Sequence, residues 1–99
     1  MTTPTTTTTP AATTTSALTV IVRHFAAARA AAGTPEERLN LPEGASVADL
    51  VTALGQGRPE LARVLLRCSY LHDEVAVRHR GDALHAGSVI DVLPPFAGG

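Results

Sequence analysis

The least sterically covered chemical handle in this sequence is a main-chain group: the carboxylate of Gly99, reached through Pro94-Pro95-Phe96-Ala97-Gly98-Gly99. Two glycines bury no side chain and lose the most backbone entropy on ordering, so they contribute little to a fold. Without a Cβ, however, they let the chain enter a narrow channel and take whatever angles it imposes. Two prolines cannot continue a sheet ladder, so a strand must end before Pro94. Six residues at about 3.3–3.6 Å each can carry the terminal carboxylate roughly 20 Å from that strand. A frayed end is the plain alternative.

The side chains offer less. Cys68 is the single cysteine, so no internal disulfide can form. It opens a predicted strand with no adjacent base, which suits a buried structural thiol better than a nucleophile. His24, His72, His79 and His85 include no i, i+4 pair and no Cys or carboxylate at zinc-like spacing, so no metal site is expected. Gly55-Gln56-Gly57 lacks the preceding strand and the following Lys-Ser/Thr of a phosphate-cradling loop, which excludes nucleotide binding by this chain. Arg78-His79-Arg80 reads as a solvated turn or a contact for an acidic partner. Arg29 either holds a strand-helix junction or faces a partner.

Bulk properties narrow the class. Ninety-nine residues, 44% apolar and 17% charged, make one globular domain too small to enclose a deep catalytic pocket. Function should therefore sit on a surface or at a terminus. The formal net charge is -1 and all eight basic residues are Arg, which gives no clustered positive excess for tracking phosphates and so no nucleic-acid partner. No apolar run is long enough to cross a bilayer and the N-terminus lacks a signal peptide, so no membrane association is expected and the cytoplasm is the expected compartment. With no lysine, the chain cannot build isopeptide polymers on itself.

The elements that must position the terminus follow from periodicity. Residues 1–17, Thr-, Pro- and Ala-rich with no charge, read as a disordered leader. From Leu18, the alternation of Leu18, Val20 and Val22 against Thr19, Ile21 and Arg23 predicts a half-buried strand. The Ala-rich run from Ala26 to Ala32, stopped by Gly33, predicts a short helix. Glu37 to Leu41 predicts a second strand returning beside the first. Ser46 followed by Asp49 resembles a capping box, and Val47, Leu50, Val51 and Leu54 at i, i+3, i+4 and i+7 predict the dominant helix, ended by Gly55. Pro59 can start a shorter helix carrying Leu61, Val64 and Leu65. Strands are predicted at Cys68–Leu71, Val75–Val77 and Val89–Leu93. The expected organisation is a domain over residues 18–93 with a flexible tail over 94–99. Its class is α+β, a mixed sheet with one main helix packed across it, the order of the ubiquitin-like β-grasp fold.

Phe25-Ala26-Ala27-Ala28-Arg29-Ala30-Ala31-Ala32-Gly33 after the first strand, with Asp91-Val92-Leu93-Pro94-Pro95-Phe96-Ala97-Gly98-Gly99 at the end, resembles the MoaD/ThiS family of sulfur carriers over about residues 18–99. Leu71-His72-Asp73-Glu74 stands where an Asn-Gly-type turn is common in that family. The resemblance implies a carrier without catalytic side chains, most like the small subunit of molybdopterin synthase. A separate MoeB-like activating enzyme, using ATP and Mg, would adenylate Gly99, and a sulfur donor would convert it to a thiocarboxylate. The MoaE-like large subunit would receive that arm and use its sulfur to build the dithiolene of molybdopterin. By the same resemblance Gly98 is the steric partner of Gly99, and Phe25, Leu93, Pro94 and Pro95, with Phe96 and Ala97 of the tail, face the partner. A carrier for thiamine, cysteine or another thiolated product stays open, as does a ubiquitin-like protein modifier.

Overall fold

The computed structural model of the protein describes residues 17–95; residues 1–16 of the expected leader and residues 96–99 of the expected tail lie outside the described residues, and Ala17, expected to close the leader, opens the first strand instead, paired with Pro42. Strand β1 (Ala17–His24) obeys the period of two, burying Leu18, Val20, Val22 and His24 on one face while Ala17 and Thr19 are exposed. It pairs antiparallel with β2 (Glu36–Pro42), setting Leu18 opposite Leu41 and Val22 opposite Glu37. Between them lies α1 (Ala26–Ala32), closed by Gly33 at φ 80°, whose N–H donates to the Arg29 carbonyl. That left-handed cap is cheap only for glycine.

The expected capping box is present. Asp49 N–H donates to Ser46 Oγ at 3.2 Å and Ser46 N–H to Asp49 Oδ2 at 2.9 Å, opening α2 (Val47–Gly55). Pro59 occupies the first turn of α3 (Pro59–Leu65), where a missing N–H costs nothing. Leu50, Leu54, Leu61 and Leu65 are fully buried, each worth about 1.5–3 kcal/mol over an exposed position. They share one core with Val20, Val22, Ile90 and Val92 of the sheet.

The chain then adds β3 (Ser69–His72), β4 (Val75–Ala76) and β5 (Val89–Leu93). The sheet order is β2-β1-β5-β3-β4, with β1 and β5 parallel and the other neighbours antiparallel, the mixed β-grasp sheet that was expected. Three further details differ from the sequence reading. α1 and α3 share the helical layer with α2. β3 starts at Ser69, one residue late, because Cys68 still belongs to the turn closing α3, its N–H donating to the Leu65 carbonyl. β4 stops at Ala76, and both its residues are exposed, so no burial extends it.

The β3–β4 hairpin carries a strained turn. Asp73 (φ 50°) and Glu74 (φ 73°) both lie in the left-handed region, the signature of a type I′ turn, which favours Asn-Gly or Asp-Gly. Glu74→Gly should therefore stabilise the fold by about 0.5–1 kcal/mol, the relief of left-handed strain less the entropy of an added glycine. Urea unfolding should show a higher midpoint at unchanged slope; an equal or lower midpoint would contradict the strain.

Candidate functional site

Parallel pairing of β1 and β5 decides where the chain leaves the sheet. His24 is the register partner of Val92, so the next residues, Phe25 and Leu93, emerge side by side at one edge. The Phe25 N–H donates to the Val92 carbonyl at 3.2 Å and ties the two exits together. Phe25, Ala26, Leu93 and Pro94 line an apolar hollow of about 330 Å³. Phe25 is 41% exposed, a large aromatic surface left without cover. Leu93 and Pro94 are half-buried and Pro95 is exposed. The structure thus brings together Phe25, Leu93 and Pro94 of the expected site with Pro95 next in the chain, while Phe96, Ala97, Gly98 and Gly99 lie outside the described residues.

The rim of the hollow is conformationally fixed. Ala26 sits at φ 51°, a left-handed position that costs an L-residue about 1–2 kcal/mol. The N–H groups of Ala28 and Arg29 both donate to the Phe25 carbonyl, at 3.0 and 3.3 Å, which makes Phe25 the N-cap of α1. Arg29 itself is exposed.

Behind Phe25 lies a polar support that sequence reasoning missed. The buried His24 places Nε2 2.6 Å from Glu37 Oε2. Arg58 donates to both Glu37 oxygens, at 3.2 and 3.1 Å, and to the carbonyls of Ala32 and Leu54. Burial works against a charge on Glu37, but the hydrogen bonds from Arg58 and His24 outweigh it and hold the carboxyl below the usual carboxylate range. An ionised Glu37 requires the proton on His24 Nε2. His24 Nδ1 is buried without a hydrogen-bond partner among the described residues. On the opposite sheet face, Arg23 binds the buried Asp91 in bidentate fashion, Nε to Oδ1 at 2.6 Å and Nη2 to Oδ2 at 2.9 Å, clasping β1 to β5 a second time.

The sequence profile of the ThiS family matches residues 22–99. The chain belongs to the ThiS family. Among relatives, it is 31% identical over 72 residues to the molybdopterin synthase sulfur carrier subunit of Chlamydomonas reinhardtii, covering 72% of this chain and 87% of that one. Among solved structures, small archaeal modifier protein 1 from Methanosarcina acetivorans is 29% identical, with TM-score 0.69 over 84% of this chain and 98% of that one. A chain of the protein-protein complex of subunits 1 and 2 of molybdopterin-converting factor from Helicobacter pylori is 26% identical, with TM-score 0.59 over 83% of this chain and 100% of that one. As a ThiS-family member the chain is a sulfur-carrier-type β-grasp protein, homologous to the molybdopterin synthase small subunit.

The remaining candidates divide. Cys68 is buried, donates Sγ–H to the Val64 carbonyl at 3.3 Å, and is pushed up by burial despite Arg80 nearby; it is a structural thiol, as its sequence context indicated. Tyr70, raised to about 12 mainly by burial, donates to the Leu65 carbonyl. Arg80 stacks 4.9 Å from the Tyr70 ring centroid, so one member of the Arg78-His79-Arg80 turn has a packing role. Spacing along the chain pointed to no metal site, yet folding brings donor atoms of His72, Asp73 and His85 within 4.8 Å of one another. The three come from the β3–β4 turn and the loop before β5, a juxtaposition that only strand pairing reveals.

Proposed function

We propose that this protein is the sulfur-carrier subunit of a molybdopterin synthase, working in the cytoplasm without catalytic side chains of its own and delivering sulfur as a thiocarboxylate at Gly99. The observation that supports this most is the apolar hollow of Phe25, Ala26, Leu93 and Pro94, placed where the chain leaves β5 toward Gly98 and Gly99. A partner that covers the hollow takes the outgoing segment with it. Similarity to the Chlamydomonas carrier subunit and to a complex of molybdopterin-converting subunits favours a synthase large subunit as that partner.

The chemistry follows from the carboxylate. A Gly99 oxygen attacks the α-phosphorus of ATP, with Mg, on the activating enzyme and expels pyrophosphate, which turns an oxide leaving group into AMP. A sulfide-level donor, hydrosulfide, then attacks the acyl carbon through sulfur, the new C–S bond replaces the bond to AMP, and loss of the sulfur's proton leaves the thiocarboxylate. In the large subunit this sulfur attacks a carbon of the cyclic pyranopterin phosphate precursor, displacing an oxygen from that carbon, and water cleaves the resulting acyl-sulfur bond to regenerate the Gly99 carboxylate. The carrier contributes position: tethering the sulfur on a short arm replaces a bimolecular encounter with a guided one.

Incubation with activating enzyme, ATP, Mg and a sulfur donor should raise the intact mass by the exchange of one oxygen for sulfur, located in the C-terminal peptide. Phe25→Ser should load equally well in that assay but bind a synthase large subunit more weakly. No mass change with an enzyme shown active on another carrier would refute the reading. A second reading, attachment to other proteins, is favoured by the similarity to small archaeal modifier protein 1. It predicts amide-linked adducts ending in Gly99 and full loading without any affinity for the large subunit.

A further inference from the structure

The end of the sheet away from the hollow carries a second group of donor atoms. β5 separates Val89 from Leu93 by four residue steps, about 13 Å, so this group cannot reach sulfur chemistry at the tail exit. Two imidazoles address one carboxylate oxygen there: His85 Nε2 lies 2.9 Å and His72 Nε2 3.5 Å from Asp73 Oδ2. Metal bonds of about 2.0–2.2 Å give ligand-to-ligand edges of about 2.8–3.6 Å in tetrahedral or octahedral shells, and both separations fall on such edges.

Surrounding groups orient each donor. Asp73 Oδ1 accepts the Val89 N–H at 2.9 Å, which leaves Oδ2 free to turn toward the histidines. His85 Nδ1 faces the Ala86 carbonyl at 3.1 Å, so Nδ1 holds a proton and Nε2 can serve as the ligand, as when the far N–H of a metal-bound histidine is held by a backbone carbonyl. Ser88 Oγ is buried, accepts the His85 N–H at 3.0 Å and lies 2.8 Å from His72 Nε2. The Ser88 hydroxyl pairs with His72 Nε2 in the metal-free chain and can turn its proton elsewhere when that nitrogen ligates, because accepting the His85 N–H does not use the proton. Without a cation, a protonated His85 donates through Nδ1 to the Ala86 carbonyl and through Nε2 to Asp73 Oδ2. A divalent metal can take the place of the Nε2 proton and draw His72 Nε2, 3.5 Å from the same carboxylate oxygen, into one ligand set.

We propose that His72 Nε2, Asp73 Oδ2 and His85 Nε2 form a binding site for a divalent transition metal of the zinc class, stapling the β3–β4 turn to the loop before β5. Two imidazoles and a carboxylate suit zinc, cobalt or nickel rather than magnesium or calcium, which take all-oxygen shells. Three protein ligands leave at least one position for water or an outside donor. Binding to the folded state alone also stabilises it by mass action.

Calorimetric titration of the full chain with Zn²⁺ should give one site, and Co²⁺ should produce a visible absorption band. The His85 side chain is 62% exposed, so His85→Ala should fold normally, and its affinity should fall at least about tenfold, since changing even second-shell partners of a metal site costs about that much. Asp73→Asn, which retains the turn and the acceptor for Val89, should lose as much. His79→Ala should bind like the parent. Zinc should shift the ring nitrogen resonances of His72 and His85 and leave that of His24 in place. Zinc binding that survives His72→Ala combined with His85→Ala, or no zinc binding by the parent chain, would overturn the proposal.

Discussion

Adding one residue after Gly99 is expected to abolish sulfur loading, because the reacting carboxylate becomes a peptide amide and no anhydride with AMP can form on it. Deleting Gly99 tests position instead of chemistry: a carboxylate remains, on Gly98, but is withdrawn by one residue, about 3.5 Å. Misplacing a reacting group by about 1 Å can already cost roughly 10²-fold, so single-turnover loading of the shortened chain should fall at least that far. Neither change should alter stability, since every buried core residue among the described residues lies between Leu18 and Val92. Overlaid urea curves beside lost loading is the expected pair of results. An extended chain that still gains sulfur would remove Gly99 from the mechanism and refute the carrier reading at its centre.

The Phe25→Ser comparison separates docking from loading. A side chain needed only for the core would cost stability; Phe25 is 41% exposed, so removing it should cost little in the isolated chain and much in the complex. A purely structural role for the hollow predicts the reverse.

What could be read from the sequence depended on how local each signal was. α2 was legible almost residue by residue, since its cap and its apolar stripe are set within ten residues. β1 was legible through alternation, but the same alternation places His24 on the buried face, a polar residue that makes sense only beside Glu37 and Arg58. Those partners come from another strand and from the connection between α2 and α3. The sheet order was legible only by resemblance, because nothing in the sequence of β1 or β5 states that they lie parallel. That pairing sets Phe25 beside Leu93 and creates the hollow. His72, Asp73 and His85 escaped notice because spacing rules detect ligands carried by one element, whereas these are joined by the pairing of β3 with β5. The strain at Asp73 and Glu74 was visible in part, since this turn lacks the Asn-Gly expected at such a place.

Glu37 is the residue whose loss should cost the fold most for a partly solvated side chain. It is the shared acceptor of His24 and Arg58, with 20% side-chain exposure against 0% for His24. Glu37→Ala strands a buried imidazole N–H and a guanidinium that also holds the Ala32 and Leu54 carbonyls. Hydrogen bonds to charged groups contribute about 1.5–3 kcal/mol each; discounted for solvent screening, the loss should be about 2–3 kcal/mol at neutral pH. Glu36→Ala, at the exposed neighbour, should stay within about 0.5 kcal/mol. The pH dependence has a definite sign. The folded carboxyl of Glu37 is held below its ordinary value, so its contribution is complete above the unfolded pKa of about 4.3 and fades as pH falls through the lowered folded value. The gap between parent and Glu37→Ala should therefore be widest near neutrality and narrow in acid, measured by urea unfolding across that range. A gap that keeps its size in acid would mean that Glu37 acts through packing, and that ionic support behind Phe25 is not what holds the hollow in shape.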